Sequence, residues 1–516
     1  MSLWMSSAAV PQFPPLNDDV TVDVCVVGAG IAGLTTAYFL SLEGKSVAVL
    51  DDGPIGWGET GRTTAHWVNA LDDRYYELER IHGTVGARLA AESHTAAIEL
   101  AHSIIKKENI DCDFHYLDGF LFAGKGEDPA ELDKECEAAR RAGLTDVKIV
   151  DHAPGLPWTG RALMFPKQAQ LHPLRYLSHM SMVMARRGVQ IYCYTHANKI
   201  TATEVHTDRG PVIHCKQVVV CTNSPVNDRV AIHTKQHPYR TYVIGMRVPK
   251  NELPLILLWD TLDPYHYVRL QPDPLSRAHD ILIVGGEDHR TGEESEPEYH
   301  FTKLEDWTRE RFPQVQERAH AWSGQVLEPI DGLGFIGRNP GDQDVFIITG
   351  DSGNGMTHGT LGAKLVTDLI MGRENPWATL YNPSRFRLRS TTEYVRENLI
   401  VGKHYAEWLH PTDTSSPDGI KPGTGAVIRR GTKLIAAYRD ESGRLHECSA
   451  VCTHLGGIVH WNNLESSWDC PCHGSRFDAT GQVINGPALK NLEPVDETDR
   501  PPLKRDQGDR PAKELS

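Results

Sequence analysis

The hydrophobic positions fall into runs of two periods. Residues 20–27 (VTVDVCVV) form a β-branched run ending in glycine, the pattern of a strand buried in a parallel sheet. A helix is expected over 31–43, stopped at Gly44, and a second strand over 46–50 (SVAVL), ending at Asp51. Helical periodicity returns at 87–108, 131–142 and 173–187, and strand patterns at 189–194 and 218–221. Between 239 and 286 the runs YRTYVIGMRV, YHYVRL and ILIVGG read as strands of mixed alternation. Residues 345–349 (VFIIT) are a further buried strand running into glycines, with a helix from about residue 361 to 371. Near residue 385 the texture changes. A charged helical stretch over 385–407 leads into 410–425, rich in Pro, Gly, Ser and Thr, which reads as a linker. Residues 426–492 carry short strands and many turns, and 496–516 read as a disordered charged tail.

The 516 residues suffice for two to four domains, and 40% hydrophobic with 23% charged residues excludes wholesale disorder. The net charge of −15 argues against a nucleic-acid or anionic-membrane partner. Residues 24–42 are uncharged and close to spanning length, but they contain a glycine-rich turn that a membrane helix does not need. The first 16 residues hold no Lys or Arg and three prolines, so no targeting signal is read there, and a cytoplasmic location is expected. Four of the ten cysteines (Cys448, Cys452, Cys470, Cys472) crowd into 25 residues and the rest are scattered, which suggests a reducing compartment and one local metal site.

G-x-G-x-x-G occurs at Gly28, Gly30 and Gly33, after a strand and opening a helix, with Asp51 closing the next strand 18 residues beyond Gly33. Gly28 permits the turn, Gly30 lets the backbone approach a pyrophosphate, and Gly33 lets helix and strand pack closely. The helix N-terminus favours phosphate charge. Asp51 is placed to accept hydrogen bonds from ribose hydroxyls. A second glycine-rich turn (GDSGNGMT, 350–357), some 300 residues downstream, has no use in a compact NAD fold and suits an FAD threaded through the core. Near the C-terminus stands Cys452-Thr-His454, then 15 residues, then Cys470-Pro-Cys472-His473-Gly474-Ser475. Two loops thus each offer one thiolate and one imidazole, the donor set of a [2Fe–2S] cluster whose potential is raised to about −150 to +300 mV by two neutral ligands. A Cys₂His₂ zinc site is the alternative.

The N-terminal strand–turn–helix, the GETGRTTAH segment, the PLRYL helix with THANKI, the VVVCTN strand and the ITGDSGNGMTHG turn resemble the D-amino-acid oxidase/glycine oxidase group of FAD-dependent oxidoreductases over about 20–385. The resemblance implies an α/β fold: a Rossmann-like FAD part (20–75, 166–225, 326–385) with an inserted antiparallel-sheet substrate part (76–165, 226–325). It places Gly28, Ala29, Gly30, Ile31, Ala32, Gly33, Asp51 and Asp52 on the adenosine diphosphate. Lys199 and Ile200 would pass the adenine. Arg62, Thr63, Thr64, Gly350, Gly353, Gly355, Met356 and Thr357 would lie near the pyrophosphate and isoalloxazine. The C-terminal motif resembles the Rieske family over about 418–495, a small all-β domain, after a helix and linker at 386–417. By that resemblance Cys452 and Cys470 ligate one iron, and His454 and His473 the other. Ser475 would hydrogen-bond a cluster sulfur, with Gly486-Pro487 covering the site. Respiratory Rieske proteins carry a second cysteine in the first loop, where this chain has Gly457. Cys472 therefore lacks that disulfide partner, which puts the respiratory role in doubt. No mononuclear-iron domain of the Rieske oxygenases follows; His233 and His237 read as a loop pair.

For substrate, Tyr265, Tyr267 and Arg269 share one strand face, and Arg269 is placed to clamp a carboxylate. Packing aromatics with a surface arginine is the competing reading, and Tyr239, Arg240 and Tyr242 are weaker candidates. His66 is a candidate proton shuttle or flavin attachment point. The leading expectation is a soluble flavin/iron–sulfur oxidoreductase. It takes electrons from a small amine or amino acid at FAD and passes them singly through the cluster to a redox acceptor protein. An NAD(P)H-fed reductase and a redox sensor without turnover are the alternatives.

Overall fold

The computed structural model describes residues 1–227, 232–293, 298–409, 413–414 and 416–495. The expected tail at 496–516, and 410–412 and 415 of the expected linker, lie outside the described residues.

A six-stranded sheet runs in the order Phe335–Arg338, Val345–Thr349, Gln217–Val220, Val24–Val27, Val47–Leu50, Gln190–Tyr192. It is parallel except at the first pair. Val24–Val27, Val47–Leu50 and Val345–Thr349 are buried at every position, so their β-branched runs need no alternation. The 20–27 run is two strands, not one. Val20–Thr21 pairs with Val212–His214 in a separate four-stranded sheet, while Val24–Val27 enters the six-stranded one. Asp23 between them accepts hydrogen bonds from the Ser46 amide and hydroxyl, 2.9 and 2.8 Å, and diverts the chain.

A nine-stranded sheet holds the central strands expected from sequence, Gln236–Pro249, His266–Pro272 and His279–Arg290, in antiparallel register. It also holds His115–Phe122 and Ala162–Gln170, which the hydrophobic pattern does not announce. The helix expected over 87–108 starts earlier, at Tyr75, and bends at Gly83, whose φ of 75° interrupts the periodicity. The helix expected from 361 starts at Gly355.

The C-terminal part is a three-stranded and a four-stranded antiparallel sheet, within residues 424–449 and 460–485. The helix Thr391–Tyr405 is not a free connector. Val401 is buried in the core of this C-terminal part, and Tyr405 donates to the Leu455 carbonyl at 3.0 Å.

Candidate active site and cluster site

A cavity of about 380 Å³ opens at the carboxyl ends of the parallel strands, where open α/β sheets bind ligands. Gly28, Gly30, Ile31 and Ala32 form its floor beneath the N-terminus of the Ile31–Leu42 helix. A Cβ on Gly33 would lie 1.8 Å from the Gly28 carbonyl oxygen, and one on Gly28 2.4 Å from that of Cys221. Only glycine permits this packing. Gly350, Gly353, Gly355 and Met356 bring a second helix N-terminus to the same cavity, so two positive helix ends face one phosphate-sized space.

Asp51 and Asp52 line one end. The Asp51 oxygens accept from the Ala29 and Gly53 amides at 2.6 and 2.9 Å, and burial followed by the neighbouring Asp52 pushes its carboxyl up to about 7. Arg62, Thr63, Thr64 and His66 line the cavity further on. The cradle of glycines and helix ends fits a dinucleotide pyrophosphate.

Some expected residues lie elsewhere. Ala29 contributes through its amide to Asp51, and Gly33 through packing. Thr357 is buried and donates to the Val68 carbonyl at 3.2 Å. Lys199 and Ile200 do not reach the cavity; their strand, Ala197–Ile200, touches it only at its first residue, and Thr195 and His196 stand there instead. Arg269 is not a clamp. It is 1% exposed, and its guanidinium donates to the Thr64, Ala65 and Leu171 carbonyls at 2.9, 3.1 and 3.0 Å and to Gln271. Tyr267 shares its strand face but lies under the cavity, where its hydroxyl meets Thr241 Oγ1 at 2.7 Å.

At this aromatic end Tyr265 donates to Asp72 Oδ2 at 3.2 Å, and Trp259 stands beside His66. The His66 Nδ1 meets Thr64 Oγ1 at 2.9 Å. Burial, then the charge of Arg269, holds His66 down to about 3, so its imidazole is neutral. Burial pushes Asp72 up to about 7. Asp72 and Trp259 carry no motif; their role comes from the sheet that brings distant strands together.

In the C-terminal part Cys452 and Cys470 are in side-chain contact, and the His454 and His473 rings lie 5.0 Å apart, edge to face. Among the described residues no three Cys, His, Asp or Glu converge as one metal ion requires. The Cys452 and Cys470 thiols lie together with Cys472 against Cys470, and the His454 and His473 rings lie together with His233 beside them, so the sulfur and nitrogen donors are segregated, as a two-iron cluster with two thiolates and two imidazoles asks. None of the ten cysteines is in a disulfide. A Cβ at Gly457 would come 2.5 Å from Cys472 Sγ, so the thiol occupies the space of the missing partner. His233 belongs beside this site: its ring is 4.9 Å from that of His454 and 5.8 Å from that of His473.

The two sites share a wall. Arg476, Asn485 and Leu489 of the C-terminal part line the cavity. Gln325, also lining it, donates to the Gly474 carbonyl at 3.0 Å and accepts from Asn485 at 2.8 Å. Glu465 closes the junction among Arg240 (2.7 Å), Arg62 (3.7 Å), Arg476 and Ser323. Burial disfavours its charge, yet the three guanidiniums hold its carboxyl well below the usual range.

The model of the FAD dependent oxidoreductase (DAO) family matches residues 23–369, and that of the Rieske [2Fe-2S] domain matches 411–496. The chain is 31% identical to the Rieske 2Fe-2S iron-sulfur protein YhfW of Bacillus subtilis, over 96% of this chain and 97% of that one. It is 27% identical to the gamma-glutamylputrescine oxidoreductase of Escherichia coli, over 70% of this chain and 86% of that one. In fold it is similar to glycine oxidase from Geobacillus kaustophilus, with a TM-score of 0.60 at 18% identity, covering 71% and 99% of the two chains.

Proposed function

The chain belongs to the DAO family of FAD-dependent oxidoreductases and carries a C-terminal Rieske [2Fe-2S] domain; from that premise we propose that it oxidises the C–N bond of a small amine and delivers the electrons one at a time to an acceptor protein. It is an enzyme whose family binds FAD, and its Rieske domain binds a [2Fe–2S] cluster. FAD supplies the two-electron acceptor and the cluster a one-electron relay. The observation that carries the reading is the shared wall. Gln325 lines the flavin cavity and hydrogen-bonds the cluster loop at Gly474, next to the ligand candidate His473.

The chain's own groups favour an amine without a carboxylate beside the reacting carbon. Among the described lining residues the guanidiniums are Arg62 and Arg476, and both lie on Glu465. Asp72 and the rings of Trp259, Tyr265 and Tyr267 line the aromatic end. Such a site pairs with an ammonium by charge and by cation–π contact. Neutral His66 accepts a hydrogen bond from the reacting nitrogen, and the Tyr267 hydroxyl, fixed on Thr241, orients it.

Anaerobic addition of a panel of mono- and diamines, with α-amino acids and NADH as comparators, tests this. Diamines should bleach the flavin absorbance and then raise the EPR signal of the reduced cluster. Flavin bleaching with a cluster that stays oxidised would end the coupling, and reduction by NADH alone would reverse the direction of flow.

A further inference from the structure

We propose that the protein holds its two cofactors as a coupled pair, because residues 483–490 are at once a wall of the FAD cavity and the cover of the cluster loops. Asn485, Gly486, Ala488 and Leu489 face the cavity. The same segment is tied to both cluster loops. The Ala488 amide donates to Ser475 Oγ at 3.0 Å, and the Ser475 carbonyl accepts from the Cys470 amide at 2.8 Å. From the first loop, Thr453 donates to the Lys490 carbonyl at 2.5 Å.

Toward the flavoprotein, Asn485 donates to Gln325 at 2.8 Å and to Glu59 at 3.3 Å, and the Leu489 carbonyl meets His196 Nε2 at 3.1 Å. The fit has no slack. A Cβ on Gly486 would meet Val226 at 2.9 Å, and one on Gly474 would meet Pro238 at 2.6 Å and the Gln325 amide at 2.2 Å. A dinucleotide in the cavity is therefore roofed by a segment whose own conformation is fixed by the loops that ligate iron.

When the cluster is lost, those loops lose the bonds that join them and the roof loses its anchor. Cluster loading then tightens FAD, and FAD must tighten cluster binding by the same factor, since the coupling between two bound groups is reciprocal at equilibrium. The expected factor is roughly 5- to 150-fold. This holds whatever the substrate, so it stands or falls separately from the proposed reaction.

The test uses the full chain with both cofactors, in anaerobic buffer, before and after removal of iron with a chelator. FAD affinity is read from the fluorescence of released flavin, and the fold is checked by far-UV circular dichroism. Weakening of FAD by at least 5-fold on cluster removal, with the spectrum retained, is expected. Asn485→Ala, which leaves the four ligands in place, should weaken FAD while the cluster's visible spectrum is unchanged. Weakening of FAD by less than 5-fold on cluster removal overturns the proposal. So does weakening that accompanies loss of the flavoprotein's own secondary structure, or an Asn485→Ala protein that binds FAD as tightly as the parent.

Discussion

Arg269 shows how a residue's chemistry is decided by its surroundings. Its guanidinium satisfies the Thr64 and Ala65 carbonyls, in the loop that carries Thr63 and His66, and the Leu171 carbonyl beyond the Ala162–Gln170 strand. Arg269→Met strands those acceptors in the core, which costs about 2–4 kcal/mol. The expected outcome is a lower thermal midpoint with an unchanged KM at a temperature where the variant is folded; a raised KM with an unchanged midpoint would instead make it a substrate clamp. Gly33→Val acts oppositely. Its Cβ would overlap the Gly28 carbonyl, so helix and strand must part where the pyrophosphate sits. The variant should purify with under a tenth of the parent's flavin, measured by absorbance after heat release.

Among elements, the helix Thr391–Tyr405 is the strap between the two parts. His404 lies 2.9 Å from Glu293 of the flavoprotein and 2.6 Å from Glu407. Burial opposes its charge, but the two carboxylates prevail and raise it from 6.5 to about 9. The folded state therefore binds this proton more tightly than the unfolded one. The stabilisation is fully present below pH 6.5 and is lost as pH rises through 9. The thermal midpoint should fall between pH 6.5 and 9.5 more steeply in the parent than in His404→Gln; parallel curves would remove His404 from the account.

For the whole molecule, the half-buried Glu465 ties Arg62 and Arg240 of the flavoprotein to Arg476 of the C-terminal part. Removing Glu465 leaves Arg476 its Asp469 partner at 2.9 Å but takes the carboxylate from buried Arg240, at a cost of about 3–5 kcal/mol. Glu465→Ala should split a single calorimetric transition into two, one for each part; a single transition at a lower temperature would mean that the domains stay docked without it. The location of the protein is a separate matter: among the described residues no helix is long and apolar enough to cross a membrane.

The sequence by itself determined the two cofactor fingerprints, because each depends on residues close together in the chain. A turn needs glycines at fixed offsets, and a cluster loop needs Cys and His at fixed spacing. It also determined the parallel core, since strands buried on both faces read as unbroken β-branched runs. Tertiary structure alone decided the rest. Lys199 and Ile200 fell away from the cavity because their strand leaves it after Ala197, and Arg269 went to the core because three carbonyls there lacked donors. Asp72, Gln325 and Asn485 entered the site from segments far apart in the chain. No local pattern encodes such meetings, which depend on how two packed parts dock and share a wall.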